Sequence, residues 1–128
     1  MLLLSMERVH QVVLVRFSGI LTREDFTALD RAFDALSLRG GGLRSIVDLS
    51  GVDVFEVSAD FLRQRAQRLA TLGSAEKVFV APRSDQFGIS RMFSTSRSAF
   101  GHAGPTIVRT MEEACTALDM KSPEFEPL

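Results

Sequence analysis

The stretch Ser45-Ile46-Val47-Asp48-Leu49 is a short β-rich run, and the chain then reaches Ser58, which opens a segment with helical periodicity. Serine is a preferred N-cap residue because its side-chain oxygen accepts a free backbone N–H of the first helical turn. Leu62, Ala66 and Leu69 follow at spacings of four and three, which places them on one helix face. This stretch therefore predicts a strand, a connecting loop and an amphipathic helix, the repeating unit of an α/β fold.

The same unit recurs twice on the C-terminal side. Residues 77–81 are a predicted strand, and Ser84 or Asp85 is placed to cap the helix that follows. Residues 106–109 are a further strand, and residues 110–113 have the pattern of a capping box. The apolar stripes of these two helices consist of Ile89, Met92, Phe93, Ser96 and Phe100, and of Met111, Ala114, Cys115 and Leu118.

On the N-terminal side, the pattern predicts a β-hairpin and a further helix. Residues 6–9 and 12–17 are β-rich runs, and the second is apolar at nearly every position, which is typical of an interior strand. Residues 22–25 resemble a capping box and start a helix that we expect to end before Gly40-Gly41-Gly42. The stripe of this helix consists of Phe26, Leu29, Phe33 and Leu36.

These elements predict a single α/β domain. Strands that alternate with helices of about ten or more residues pair in parallel through right-handed crossovers. Because the first hairpin is antiparallel, we expect a mixed, mostly parallel sheet with helices packed on it, in the order ββαβαβαβα. The 128 residues suit one domain, placed at residues 1–120, and residues 121–128 are expected to form a flexible C-terminal tail.

Composition narrows the classes of partner. The formal net charge is -1 at pH 7, so the chain lacks the broad basic field that nucleic-acid or anionic-lipid binding normally needs. No run approaches the roughly 20 apolar residues of a bilayer span, and the initial Met1-Leu2-Leu3-Leu4 is too short for a signal-peptide core. A single cysteine is typical of a reducing compartment. We therefore expect a cytoplasmic protein that binds no nucleic acid and does not insert into a membrane.

Two segments follow the strands where ligands usually meet a parallel sheet, outside the carboxyl ends of the strands. They are residues 48–58 and 81–85, and each precedes a helix whose free N–H groups favour an anion at the same edge. The candidate residues for binding a partner or a ligand are Asp48, Ser50, Asp53, Phe55, Glu56, Arg83 and Ser84.

Several of these residues also have a purely structural interpretation. Asp48 can accept backbone N–H bonds within its own loop, and Arg83 can be a solvated surface side chain. Phe55 is either an exposed aromatic anchor for a partner or apolar ligand, or part of the core. The arginines of the second helix spread over more than half of its circumference and are interpreted as a solvated face: Arg63, Arg65 and Arg68.

No constellation typical of catalysis occurs in the sequence. His10 and His102 fall in predicted turns outside any metal-ligand spacing, and Cys115 lies on an apolar stripe as a small hydrophobe. Gly40-Gly41-Gly42 lacks the Lys-Ser/Thr of a phosphate-binding loop, and no Gly-x-Ser-x-Gly elbow is present. We therefore predict no enzymatic activity, no metal site and no cofactor.

The segment at the end of the third predicted strand resembles a known signature. Asp48-Leu49-Ser50-Gly51-Val52, followed six residues after Val52 by Ser58, is similar to that of STAS domains, the sulfate-transporter and anti-sigma-factor-antagonist family. Val15-Arg16-Phe17-Ser18-Gly19-Ile20-Leu21 resembles the second strand of the family and its glycine-terminated end. The order of elements is similar over roughly residues 6–118. This resemblance implies a STAS-like fold.

The resemblance also implies a regulatory residue. In regulatory STAS members the helix is entered through Asp-Ser-Ser-Gly, and phosphorylation of the second serine switches binding to an anti-sigma kinase. The corresponding residues here are Glu56-Val57-Ser58-Ala59, so Ser58 occupies the phosphate-acceptor position and Glu56 that of the acid. Val57 and Ala59 depart from the pattern, and the chain is more similar to divergent STAS-like bacterial proteins. The alternative interpretation of Ser58 is an ordinary helix cap.

The leading prediction is a non-catalytic, STAS-like regulatory or protein-interaction module that binds a protein partner around Ser58, the second helix and Phe55. The alternative is a carrier that holds a small apolar or lipid-like ligand between the sheet and the helices, as has been suggested for some members of the wider group. Either function is compatible with a homodimer that buries an exposed apolar helix face.

Overall fold

The strands form a mixed sheet with helices on both faces. The computed structural model describes residues 1–37, 43–68 and 76–128. In chain order its elements are β1 (Leu2–Glu7), β2 (Val12–Leu21), α1 (Arg23–Ser37), β3 (Arg44–Phe55), α2 (Ala59–Gln67), β4 (Lys77–Val80), α3 (Ser84–Ala99), β5 (Thr106–Val108), α4 (Met111–Ala117) and β6 (Glu126–Pro127). The sheet order is β5-β4-β3-β2-β1-β6. The pairs among β2, β3, β4 and β5 are parallel and those of β1 are antiparallel, which confirms the mixed, mostly parallel α/β fold.

Each face of the sheet has its own apolar core, because successive side chains of a strand point to opposite faces. One face packs against α1, and we call its apolar core the α1 core. The other packs against α4, and its core is the α4 core. β2 lies between β1 and β3 and is buried on both faces over residues 12–15, as predicted for an interior strand. The first core includes Val13, Val15, Phe17, Leu29, Phe33 and Leu49, and the second includes Val12, Leu14, Ile46, Val78, Ala114 and Leu118.

Two helices begin with the side-chain caps that the sequence predicts. The Ser58 hydroxyl oxygen accepts a hydrogen bond from the Phe61 N–H at 3.0 Å. The Thr110 hydroxyl oxygen accepts one from the Glu113 N–H at 3.1 Å. Each bond satisfies a backbone donor that no helical carbonyl can reach.

The start of α3 differs from the prediction. Its N-cap is Arg83 rather than Ser84 or Asp85. The Arg83 N–H donates to the side-chain oxygen of Gln86 at 3.1 Å, so a residue inside the first turn reaches back to the cap. The prediction was wrong because it considered only short side chains at the cap itself.

β3 is longer than predicted. The sequence predicts a loop after Leu49, but the strand continues to Phe55 and remains paired with β2 as far as Leu21. The candidate residues Asp48, Ser50, Asp53 and Phe55 therefore lie on a strand rather than in a loop. Pairing with a strand some thirty residues away in sequence decides this extension, and local pattern cannot reveal it.

The first strand differs from the prediction, and the glycine run lies outside the described residues. β1 covers Leu2–Glu7 instead of residues 6–9, and residues 8–11 form the turn, where Gln11 has a φ of 56°. α1 ends at Ser37, ahead of the glycines as expected. Gly40-Gly41-Gly42 and Leu69 fall outside the described residues.

The C-terminal segment, expected to be a flexible tail, includes a strand. β6 pairs with β1, with Glu126 opposite Met6. The Leu128 N–H donates to the Leu4 oxygen at 3.0 Å, and Phe125 packs against the α4 core. These contacts attach residues 125–128 to the edge of the sheet.

The buried face of α3 is polar, whereas the sequence predicts an apolar stripe. Phe100 of that stripe is 54% exposed, and its other members are only half-buried. Gln86 Nε2 donates to the Val52 oxygen at 3.0 Å, and Arg97 Nη1 donates to the Ala66 and Arg68 oxygens. These carbonyls belong to neighbouring segments, so their need for donors is invisible in the sequence of α3. The buried residues of the helix are Gln86, Ser90 and Arg97.

Candidate functional site

The two segments predicted to form the site meet at one edge of the sheet. The Arg83 guanidinium, at the start of α3, donates to the Val52 carbonyl oxygen of β3. It also pairs with Asp85, with 3.2 Å between Nε and Oδ1. This hydrogen bond holds the pKa of the Asp85 carboxyl below its ordinary value. Arg83 therefore joins the two segments, and its Nε and Nη2 already have acceptors within the chain.

Asp48 stabilises a β-bulge. The pairing of β2 with β3 shifts after Arg16 and Asp48, so β3 places two residues opposite Phe17. Asp48 Oδ1 accepts the Ser50 N–H at 3.0 Å, and Oδ2 accepts the Arg16 Nε–H at 3.3 Å. A Cβ on Gly51 would lie 3.2 Å from the Phe17 oxygen, so a side chain there would make the neighbouring backbone shift by a few tenths of an ångström. The buried carboxylate thus has the structural role considered for it above.

The remaining predicted residues differ in exposure. Phe55 lies at the end of β3, is half-buried and packs against the α1 core, so it does not project from a loop. Ser84 is the first residue of α3. The exposed members of the predicted set are Ser50, Asp53, Glu56, Ser58, Arg83 and Ser84.

Exposed apolar and acidic side chains precede Ser58 in the chain and on the strand paired with β3. Ile20 and Val54 are paired across β2 and β3, and each is more than half exposed. Asp53 and Glu56 flank Val54 in the chain and are also exposed. We call Ile20, Asp53, Val54, Glu56 and Ser58 the Ser58 surface. Sequence reasoning identified its polar members but not the apolar pair, which only the register of the two strands brings together.

A cavity of about 130 Å³ lies between the sheet and the helices α1, α2 and α3. Its walls include aromatic pairs with ring centroids 5.5 Å apart for Phe17 and Phe26, and 5.6 Å apart for Phe79 and Phe93. We call it the α1–α3 cavity. Its apolar walls consist of Phe17, Phe26, Leu29, Phe33, Val47, Leu49, Leu62, Phe79, Ile89 and Phe93.

Arg65 of α2 and Arg68, the residue that follows the helix, line this cavity and pair with Asp30 of α1. Arg65 donates to both carboxylate oxygens of Asp30, at 2.9 and 3.0 Å, and its guanidinium lies 4.7 Å from the ring centroid of Phe26. Arg68 approaches the same carboxylate at 3.4 Å. The interpretation of these side chains as a solvated face is wrong for Arg65, which is mostly buried. Arg63, by contrast, pairs within its own helix with the exposed Asp60.

Further polar residues line the same cavity and were not singled out from the sequence. Ser45 and Lys77 are neighbours on β3 and β4, and Ser90 and Arg97 project from α3. Ser90 and Arg97 are seven residues apart, a spacing that places them on one helix face. That spacing is the sequence signal for a shared polar face, whereas the prediction for this helix followed its apolar stripe.

The histidines and the cysteine have local partners. His10 Nδ1 lies 2.8 Å from Glu7 Oε2, and His102 Nε2 lies 3.2 Å from the Gln67 oxygen. Cys115 is half-buried beside the α4 core, and burial raises the pKa of its thiol. Within residues 1–37, 43–68 and 76–128, no group of His, Cys, Asp and Glu side chains is arranged to hold a metal ion. No helix in this part of the chain has the length and apolarity to cross a bilayer.

Comparison with known proteins identifies the fold. No protein-family model and no curated protein matches the chain. Among solved structures, it is similar to the anti-sigma factor antagonist SpoIIAA in its unphosphorylated form, with a TM-score of 0.58 and 16% sequence identity. The match covers 91% of this chain and 96% of that one. The STAS-like fold implied by the signature segment is therefore confirmed.

Proposed function

We propose that the protein is a non-enzymatic, cytoplasmic regulatory module that binds a protein partner through the Ser58 surface. The observation that carries this proposal is the exposed cross-strand pair of Ile20 and Val54, with exposed acidic residues and Ser58 within four residues of Val54 in the chain. Apolar side chains surrounded by polar ones are typical of transient protein interfaces. The similarity in fold to an anti-sigma factor antagonist supports a partner of the same general kind.

Phosphorylation of Ser58 is the proposed regulation. The Ser58 side chain is exposed, and its oxygen caps α2 through the Phe61 N–H. A phosphate would add about -1.5 to -2 charges to a surface that already carries Asp53 and Glu56. The positive end of the helix dipole would stabilise that phosphate, while the neighbouring carboxylates would change the partner that the surface attracts.

Photo-crosslinking in the native host tests the partner surface. A photoreactive amino acid at Glu56 is expected to give a discrete crosslinked adduct, and Ser58→Asp is expected to reduce its yield. The same amino acid at Thr116, exposed on α4, is the matched control and should give no such adduct. Equal adducts from both positions would contradict the proposal, as would an adduct whose mass equals two copies of this chain, which would identify a homodimer instead.

Mass spectrometry of the protein purified from that host tests the regulation separately. A phosphate on the peptide that contains Ser58 is expected in part of the population. Absence of that phosphate under every growth condition, including those in which the crosslink does not form, would reject phosphoregulation and leave the interaction surface intact.

A second candidate function is favoured by the α1–α3 cavity. Its walls are mostly apolar, and it lies between the sheet and the helices, where a carrier of a small apolar ligand would hold its cargo. A ligand that co-purifies with the protein and dissociates on denaturation would support this function.

A further inference from the structure

The volume of the α1–α3 cavity sets the size of an occupant. It measures about 130 Å³. An apolar protein cavity of about 150 Å³ holds a benzene molecule, so this one suits a single ring or a similarly compact group. A long acyl chain would extend beyond this volume.

The walls favour an aromatic ring. Five phenylalanines line the cavity: Phe17, Phe26, Phe33, Phe79 and Phe93. Their rings already contact one another in tilted pairs, an arrangement that a further ring can extend.

Two hydroxyl groups point to a polar part of the occupant. Ser45 and Ser90 line the cavity, and each residue is 1% exposed. Neither hydroxyl has a hydrogen-bond partner among the described residues. Buried hydroxyls without partners are rare because desolvation without a hydrogen bond costs free energy. One hydroxyl comes from the sheet and the other from α3, so a polar group in the cavity finds an unpartnered hydroxyl on either wall.

The cationic side chains that line the cavity favour a negative charge on the polar part of the occupant. Arg97 is 8% exposed, and its Nε and Nη1 donate to the Ala103, Ala66 and Arg68 carbonyls. No acceptor for Arg97 Nη2 is present among the described residues.

Lys77 is the second such cation. Its pKa is lowered by burial and by the nearby charges of Arg97 and Arg65, and it has no acidic partner in residues 1–37, 43–68 and 76–128. Asp30, the acid in the lining, is held by Arg65 and Arg68. The polar end of the cavity therefore has an excess of positive charge.

We infer that the α1–α3 cavity binds a small aromatic carboxylate, with its ring among the phenylalanines and its carboxylate at Ser45, Ser90, Lys77 and Arg97. This deepens the second candidate function and is independent of the Ser58 surface. A carboxylate matches the donors because it accepts from hydroxyl, ammonium and guanidinium groups at once. The apolar ring fills a space that water occupies poorly.

Calorimetric titration of the full chain tests the inference, with benzoate and phenylacetate as probes. Both are expected to bind saturably, and the neutral isostere benzamide is expected to bind at least about tenfold more weakly. Benzamide that binds as well as benzoate would overturn the carboxylate assignment while leaving an apolar carrier intact. Palmitate that binds more tightly than benzoate would overturn the size class. No saturable binding of any probe would reject the inference and the carrier function together, without affecting crosslinking at the Ser58 surface.

Variants test the residues. Lys77→Met should weaken benzoate binding about tenfold, and Ser90→Ala about threefold, with benzamide affected less. Lys121→Met removes the same charge from an exposed position outside the cavity and is the matched control. Arg97→Gln also removes donors from the carbonyls that follow α2, so it is judged only where circular dichroism and the unfolding midpoint match the parent protein. Equal benzoate affinity in Lys77→Met and the parent would overturn the assigned position of the carboxylate.

Discussion

The Arg65 guanidinium of α2 donates two hydrogen bonds to the Asp30 carboxylate of α1 while it lies over the ring of Phe26. Burial alone would raise the pKa of Asp30, but the hydrogen bonds and charges of Arg65 and Arg68 outweigh it and keep the pKa below its ordinary value. The contact therefore joins two helices that the sequence leaves unrelated, and both residues line the α1–α3 cavity.

Replacement of Asp30 tests this contact. Asp30→Asn should lower the free energy of unfolding at pH 7 by about 1–2 kcal/mol, between the values of exposed and buried ion pairs. Because the folded pKa is lowered, the contribution is complete above the unfolded pKa and is lost as pH falls through the folded pKa. Urea denaturation at pH 7 and at a pH below the folded pKa measures the loss. Asp60→Asn, which removes an exposed pair with Arg63, should change the free energy of unfolding little.

Because α2 and α3 are capped differently, we expect alanine at Ser58 and alanine at Ser84 to have different effects on stability. Ser58→Ala should cost about 1 kcal/mol because the Phe61 N–H loses its acceptor, whereas Ser58→Asp should be tolerated. Ser84→Ala should be nearly neutral because the cap of α3 is Arg83. Chemical denaturation midpoints compare the variants, and an unchanged midpoint for Ser58→Ala would contradict the cap.

Glu7, buried at the end of β1, pairs with the partly exposed His10 of the following turn. Burial disfavours the Glu7 carboxylate, but hydrogen bonds from the backbone and ring of His10 hold its pKa below the ordinary 4.5. Glu7→Gln should therefore destabilise the protein at pH 7 by about 2 kcal/mol and flatten the acid limb of the stability profile below the unfolded pKa. Glu126→Gln, from the exposed pair with Arg8, is the control. A parallel acid limb in parent and Glu7→Gln would refute the assignment.

Cys115 should react slowly with a thiol reagent such as DTNB in the native state and rapidly in denaturant. Burial both restricts access and raises the pKa of the thiol, which lowers the thiolate fraction. A Cys115→Ser, Thr116→Cys double variant moves the thiol one residue to an exposed position and should label at once. Immediate stoichiometric labelling of the native parent protein would reopen Cys115 as a reactive residue.

The C-terminal strand should contribute to stability. Phe125→Ala removes a half-buried ring from the α4 core and should cost about 1–2 kcal/mol. Glu124→Ala, at an exposed neighbouring position, should leave the unfolding midpoint nearly unchanged. Identical midpoints for the two variants would show that residues 121–128 behave as the flexible tail that the sequence suggests.

The sequence alone predicted the order of strands and helices from β1 to α4, the interior position of β2 and the caps at Ser58 and Thr110. These features depend on neighbours a few residues apart, so hydrophobic period and cap chemistry contain the information. The signature segment around Asp48 added the STAS-like fold.

Tertiary structure alone decided the features that depend on distant partners. The extension of β3 to Phe55 requires β2, and β6 requires β1. Ser45 and Ser90 are both buried at one cavity only because α3 packs over β3, and no local pattern encodes that approach. Lys77 and Arg97 look like ordinary charged residues in sequence. The fold withdraws them from water beside those two hydroxyls, and desolvation together with the absence of an acidic partner in the described chain makes that end of the cavity attractive to an anion.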